Sequence, residues 1–254
     1  MDFMKNSLSV SVFKTRNEAG KKAAGDIAET IARVLLNKRE CNMIFAAAPS
    51  QNEVLQNLRL NNKICWNRVN AFHMDEYIGL KRTDNRCFSN FLCRTLFDWM
   101  PFRSVNLINP EADIANEIAR YSELVNENPP DIVVMGIGEN GHIAFNDPGV
   151  ADFDDEQTMK VVNLDHACRL QQVHDKCFDR IEDVPQQALT LTIPCLMRSK
   201  YVFCIVPSIT KAEAIRKTLC DEVDESCPAT ILRTHSHANL YLDQDSASLF
   251  LTAS

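Results

Sequence analysis

One short stretch of the chain combines most of its glycine with polar side chains that could do chemistry. The chain has seven glycines, and four of them lie between residues 136 and 149. The same stretch places Asn140, His142, Asn146 and Asp147 close to one another. A histidine among carboxylate and amide groups is a candidate for proton transfer near neutral pH. Taken alone, the stretch fits equally well an ordinary strand-to-helix turn in which His142 hydrogen-bonds the loop.

Two adjacent carboxylates stand where another apolar run ends. Asp75 and Glu76 follow a segment, residues 69–74, that favours a strand. An isolated Asp-Glu pair of this kind is usually a surface turn. The pair therefore gains meaning only if other polar groups share its surroundings.

Two further segments could bind an anion at a strand-to-helix junction. At residues 46–50 a strand passes into a helix N-terminus, where free N–H groups and the positive end of the helix dipole favour phosphate. The candidate contacts there are Ala47, Ala48, Pro49 and Ser50. Lys211 follows the strand Tyr201–Val206 and could supply a cation. Each has a simpler alternative, a helix cap for Ser50 and a solvated side chain for Lys211.

All four segments follow strand-length apolar runs in a chain where such runs alternate with amphipathic helical segments. This alternation predicts an α/β fold, a Rossmann-like three-layer sandwich with a mainly parallel sheet and helices on both faces. Residues 131–135 are rich in β-branched side chains and predict a central strand. No repeat, linker or change of composition interrupts the chain, so residues 1–254 are expected to form one domain. Parallel strands end at one sheet edge, where the four segments should meet.

Composition limits the classes of function. The net charge of −7 argues against a nucleic-acid surface, which needs clustered Lys and Arg. The first residues lack the apolar stretch of a signal peptide, and no run approaches the roughly 18 apolar residues of a membrane span. The ten cysteines lack CxxC pairs, which favours small core residues in a reducing compartment. We therefore expect a cytoplasmic protein that binds neither nucleic acid nor membrane.

Two of the four segments carry the signatures of a known family. Residues 74–80, Met-Asp-Glu-Tyr-Ile-Gly-Leu, resemble its MDEYxGL segment, and residues 138–148 resemble its GxxGHIxFNEP segment. Matching features that follow in order are Ala188-Leu189-Thr190, Lys211, residues 227–232 and His235. Over nearly its full length the chain therefore resembles the glucosamine-6-phosphate deaminase (isomerase) family.

The resemblance implies an enzyme that converts glucosamine 6-phosphate to fructose 6-phosphate and ammonia without a metal or an organic cofactor. It implies that Asp75 shuttles a proton between C2 and C1 and that His142 opens the pyranose ring. Asn140 and Asp147 would orient and tune the imidazole, and Lys211 would bind the phosphate. Asp75 is too weak a base in water, so partial desolvation must raise its pKa.

Further contacts with the sugar phosphate are expected from Glu76, Gly138 and residues 47–50. Glycine at a strand end lets the main chain approach a ligand closely. The family's phosphate-binding arginine, expected between residues 169 and 178, has no clear counterpart in this chain. Lys176 is the candidate substitute.

Two departures from the family pattern concern the substrate. The family's first loop is usually rich in Gly and Thr, whereas residues 46–50 here are Ala-Ala-Ala-Pro-Ser. A phosphate cradle built from these residues must accommodate their Cβ atoms. Asp147 is one methylene shorter than the usual Glu, which shifts its carboxylate by ~1.5 Å unless the backbone moves.

Several alternatives to this function stay open on the sequence alone. Galactosamine 6-phosphate, giving tagatose 6-phosphate, differs from the expected substrate at one hydroxyl. Lactone hydrolysis, as in 6-phosphogluconolactonases, would keep the histidine loop but has no evident need for Asp75. A non-catalytic sugar-phosphate sensor is a third alternative. The resemblance leaves open whether the chain forms a homo-oligomer, because the family includes monomers and several oligomers.

The acidic segment at residues 152–157 predicts that one kind of regulation is absent. Relatives activated by an acetylated sugar phosphate have basic and serine residues near that position. Initial rates measured against substrate concentration, with and without N-acetylglucosamine 6-phosphate, should therefore superimpose. Steep activation by that compound would contradict the prediction.

Overall fold

The computed structural model describes residues 1–253, over which the chain forms eleven strands and eight α-helices. The strands are β1 (Asp2–Lys5), β2 (Leu8–Phe13), β3 (Cys41–Phe45), β4 (Val69–His73), β5 (Asp75–Tyr77), β6 (Ser104–Asn106), β7 (Ile132–Met135), β8 (Met159–Asn163), β9 (Gln187–Leu191), β10 (Tyr201–Val206) and β11 (Ala238–Asp243). The helices are α1 (Arg16–Asn37), α2 (Asn52–Arg59), α3 (Phe88–Thr95), α4 (Ile114–Glu127), α5 (His166–His174), α6 (Ile193–Met197), α7 (Ala212–Cys220) and α8 (Ser248–Ala253).

Eight strands form one sheet in the order β1-β2-β11-β10-β7-β3-β4-β6. Every neighbouring pair is parallel except β1 with β2, which form an N-terminal antiparallel hairpin. The four strands β10, β7, β3 and β4 are consecutive in the sheet. Their carboxyl ends therefore lie side by side at one edge.

Helices cover both faces of this sheet because successive residues of its central strands point in opposite directions. In β7, Ile132 and Val134 join one core, whereas Val133 and Met135 join the other. The first core packs beneath α1, α2 and α3, and the second beneath α4, α6 and α7. The predicted α/β sandwich with a mainly parallel sheet is confirmed.

A second, antiparallel sheet of three strands, in the order β5-β9-β8, stands beside the first. The Tyr121 hydroxyl accepts from the His73 N–H (3.0 Å) and donates to the His73 carbonyl (2.8 Å). These two bonds occupy the main-chain groups of the last residue of β4. Directly after it the chain crosses to the second sheet, where Asp75 pairs with Thr190 of β9.

All ten cysteines are free thiols, and six of them are buried. The prediction of core cysteines without a disulfide framework therefore holds for most of them.

Among residues 1–253, each helix is either too short or too polar to cross a bilayer.

Candidate active site

A cavity opens at the carboxyl ends of β10, β7, β3 and β4. It encloses about 580 Å³, including space that is open to solvent. The residues predicted from sequence that line it are Asp75, Gly138, His142, Lys211 and residues 47–50. Asn140 and Asp147 contact His142 from behind. The structure thus brings ten of the twelve predicted residues together.

His142 is held at the cavity wall by two neighbours in its own loop. Its Nδ1 lies 2.8 Å from Oδ1 of Asp147, an ion-pair distance, although the ring N–H is not aligned for a hydrogen bond. Asn140 donates to Asp147 Oδ1 (2.9 Å) and accepts from the His142 main-chain N–H (3.1 Å). Nε2 is therefore the ring nitrogen available to a substrate.

Asp147 is almost fully buried, yet it remains ionised. Burial alone would raise the pKa of its carboxyl, but the His142 imidazole and the Asn140 amide outweigh burial and hold the pKa below the usual value. A fixed carboxylate behind an imidazole helps to orient the ring.

The thiol of Cys168 on α5 completes a buried cluster with this pair. One potential ligand atom each from Cys168, His142 and Asp147 lies within 4.8 Å of the other two. These three side chains could hold a zinc ion. However, burial and then the charge of Asp147 raise the pKa of the thiol, which favours a protonated, weakly ligating sulfur. The expectation that catalysis needs no metal stays a prediction.

Gly138 is required because the imidazole of His142 packs directly against its Cα. A Cβ built on Gly138 would come within 2.2–2.4 Å of three atoms of that ring. The Gly138 N–H also donates to the His142 carbonyl (2.9 Å), which closes the loop. Gly141 supplies the turn between them with a φ of +91°.

Asp75 faces the cavity from β5 and is 7% exposed. Burial, and to a smaller extent the charge of Glu76, raises the pKa of Asp75 well above its usual value. A carboxylate whose proton affinity is raised in this way is a stronger base than aspartate in water. The structure thus supplies the desolvation that the sequence argument required.

Glu76 points away from the cavity, contrary to the prediction that it contacts the substrate. Adjacent residues of a strand face opposite sides of a sheet, so Asp75 and Glu76 cannot both reach the site. The carboxylate of Glu76 accepts from the N–H groups of Phe88 (3.0 Å) and Ser89 (2.9 Å). These are unpaired donors at the start of α3, so Glu76 caps that helix.

The loop after β3 turns into a helix start at Pro49. Ala48 is extended, and residues 49–51 form a 3₁₀ turn that runs into α2. The fully buried Gln51 side chain donates to Ser50 Oγ (3.2 Å) and to the Ile205 carbonyl of β10 (3.1 Å). The loop is thereby fixed to the sheet beside the cavity, which residues 47–50 line.

Lys211 lies on the loop after β10 and lines the same cavity. The Asp243 carboxylate accepts from the Ser208 N–H at 3.1 Å and so anchors that loop. Burial lowers the pKa of Lys211, and the charges of Asp175 and Glu139 oppose this effect. Among the described residues, no side chain or carbonyl accepts a hydrogen bond from its ammonium group.

Lys176, the predicted second cation, does not line the main cavity. It is exposed, and it borders an adjoining cavity of about 600 Å³ together with Arg86 and Arg94. Arg169 is also excluded, because its guanidinium donates to the carbonyls of Ile181 (2.6 Å) and Val184 (3.1 Å). Neither Lys176 nor Arg169 therefore lines the main cavity.

Sequence reasoning missed the part of the wall that α5 contributes. Gln171, Gln172 and Asp175 line the main cavity, and Cys168 lies behind His142. These four positions recur at the spacing of one helix face, 168, 171, 172 and 175. A polar face on a helix capped by Asp165 was the available signal.

Comparison with known proteins places the chain in a family. The profile of glucosamine-6-phosphate isomerases and 6-phosphogluconolactonases matches residues 14–242. The chain belongs to this family. It is 33% identical over 245 residues to a glucosamine-6-phosphate deaminase of Bacillus cereus, covering 96% of this chain and 88% of that one. Another, from Bacillus cytotoxicus, is 32% identical over 233 residues, covering 91% and 87%. The resemblance inferred from the motifs is confirmed.

Solved structures of the family share the fold. A structure described as a monomeric glucosamine-6-phosphate deaminase superposes with a TM-score of 0.86 at 29% identity, covering 94% of this chain and 99% of that one. A 6-phosphogluconolactonase of Thermotoga maritima superposes with a TM-score of 0.75 at 16% identity, covering 93% and 99%. The second likeness concerns the fold alone.

Gly138→Ala should inactivate this member of the family while leaving it folded. The new methyl group would displace the His142 ring, and displacing a catalytic group by about 1 Å can cost about 100-fold in rate. We expect a loss of kcat of about that size, with a free energy of unfolding in urea changed by less than about 2 kcal/mol.

Gly25→Ala is the matched control, because a Cβ at that position of α1 meets no atom within 4 Å. It should keep full activity and gain slight stability, as Ala replaces Gly inside a helix. Equal activity of the two variants would show that the contact between Gly138 and His142 does not matter.

Proposed function

We propose that this protein converts glucosamine 6-phosphate and water to fructose 6-phosphate and ammonia. The observation that carries the proposal is that Asp75 and His142, from distant parts of the chain, line one cavity together with Lys211. This reaction needs a carboxylate with a raised pKa, a histidine supported by a carboxylate, and a group that binds an anion. Asp75, His142 with Asp147, and Lys211 supply them. Relatives named for this activity match nearly the whole chain.

The first step opens the sugar ring. His142 Nε2 moves a proton between the O1 hydroxyl and the ring oxygen O5, which breaks the C1–O5 bond and leaves the aldehyde at C1. Asp147 and Asn140 hold the ring in place for both directions of this transfer.

The second step transfers a proton between two carbons. Asp75 removes the C2 proton while the aldehyde oxygen O1 takes up a proton, which gives an enolamine. Asp75 then returns its proton to C1 while the amino group loses one, which produces an imine at C2. Addition of water to this imine and loss of ammonia leave the C2 ketone of fructose 6-phosphate. The phosphate, held near Lys211 and residues 48–50, fixes the sugar far from the reacting carbons and so helps to orient them.

Alternative reactions use the site less completely. A lactone hydrolase needs an activated water but no carboxylate that exchanges a proton with carbon, so the buried Asp75 favours the isomerising deaminase. A sensor needs no strong base at all. The galactosamine 6-phosphate epimer fits the same chemistry, and an assay with both sugars separates the two substrates.

We further propose that residues 1–254 act as one domain and that the protein is cytoplasmic.

Asp75→Asn should abolish most of the turnover and leave phosphate binding intact, because it removes the base without altering the anchor. General-base catalysis contributes about 10²–10⁴-fold, so ammonia and ketose phosphate, measured separately, should both fall by such a factor. Asp154→Asn, at an exposed position, is the control and should retain the full rate. Unchanged ammonia release by Asp75→Asn would disprove the assignment of the base.

The dependence of kcat/KM on pH should report the raised pKa of Asp75. The base works only when ionised, so activity is lost as pH falls through that pKa. Because burial raises the pKa, the loss should occur above the usual value of 3.8. An acid limb at or below pH 3.8, measured over a range in which the protein stays folded, would contradict the assigned environment of Asp75.

A further inference from the structure

Gln172 is a buried amide that shares the cavity with Asp75. It lies on the inner face of α5, one helical turn beyond Cys168, and is 6% exposed. A buried amide normally satisfies both its carbonyl and its NH₂ group. The partners of these two groups show what the side chain can offer a ligand.

The carbonyl end of Gln172 is fixed by Tyr77. The Tyr77 hydroxyl donates to Gln172 Oε1 at 2.7 Å. Tyr77 is fully buried and packs against Phe88, Phe145 and Phe178, with ring centroids 4.6, 5.6 and 5.4 Å away. The hydroxyl is thus held rigidly, and it sets the orientation of the amide.

Tyr77 and Asp75 point to the same side of β5 because they are two residues apart on the strand. Gln172 therefore lies at the Asp75 end of the cavity. Within the described part of the chain, no group accepts a hydrogen bond from Gln172 Nε2, although the side chain lines the cavity. A pair of oriented N–H donors is left for a ligand.

We propose that Gln172 Nε2 donates a hydrogen bond to a hydroxyl oxygen at the reacting end of the bound sugar, and that Tyr77 is the residue that positions this amide. The inference rests on the proposed function, because it assumes a sugar whose reacting carbons lie at Asp75. Hydroxyl oxygens accept from neutral amides, and a site built to bond a hydroxyl discriminates strongly against ligands without one.

The test measures binding of two probes by calorimetry. One is 2-amino-2-deoxyglucitol 6-phosphate, an open-chain analogue that cannot react, and the other is inorganic phosphate, which has no sugar hydroxyls. Gln172→Leu should weaken binding of the analogue about 10- to 100-fold and change phosphate binding less than 2-fold. Gln186→Leu, at an exposed position, is the matched control and should change neither.

A double-mutant cycle separates the role of Tyr77 from simple packing. Tyr77→Phe should weaken binding of the analogue about 2- to 10-fold in the wild-type background and less than 2-fold in Gln172→Leu, because the hydroxyl acts through the amide. Equal effects in both backgrounds would overturn the positioning role.

The remaining outcomes are decisive in the same way. An unchanged affinity of Gln172→Leu for the analogue overturns the proposal, as does an equal loss for both probes, which would indicate a disturbed cavity. A wild-type protein that binds neither probe overturns it too. Binding of the analogue without ammonia release from glucosamine 6-phosphate would count against the proposed function alone, while the effect of Gln172→Leu would still decide the role of the amide.

Discussion

The whole site depends on the order of the parallel strands β10, β7, β3 and β4, whose carboxyl ends lie side by side. Each strand delivers one component, namely Lys211, the histidine loop, the helix start at Pro49 and Asp75. A parallel sheet forces these ends to one edge whatever the sequence distance between them. For Asp75, the Tyr121 hydroxyl bound to His73 fixes the point where the chain leaves the main sheet.

Two buried aspartates line or support this site, and burial has a different outcome for each. Asp147 has partners that favour its charged form, so its pKa falls despite burial. Asp75 has no such partner, so burial, and to a smaller extent the charge of Glu76, raises its pKa. One carboxylate is thereby kept ionised behind the imidazole, whereas the other becomes a stronger base. Two aspartates acquire opposite properties from their surroundings, as is typical of sites that combine acid and base chemistry.

The alternating pattern was sufficient to predict the fold, and the motifs were sufficient to place most of the cavity wall. Sequence reasoning failed where the answer depended on side-chain direction or on a weak helix. The assignment of Glu76 to the substrate ignored strand alternation, which allows only one of two neighbours to face the site. The α5 face was missed because its residues are polar, and a helix is usually read from apolar spacing. Lys176 was chosen for its charge, but which way it faces is set by the end of α5 and cannot be read from the sequence.

The charges around Lys211 bear on how the proposed phosphate site would hold an anion. Lys211 is the one cation from the predicted residues that lines the cavity, and Asp175 lines it as well. The charge of Asp175 helps to keep Lys211 protonated in spite of burial, but it also repels a phosphate group. Neutral hydrogen-bond donors at this end of the cavity are therefore expected to contribute to anion binding. The Ser50 hydroxyl is such a donor, and the dipole of the helix that starts at this loop adds to its effect.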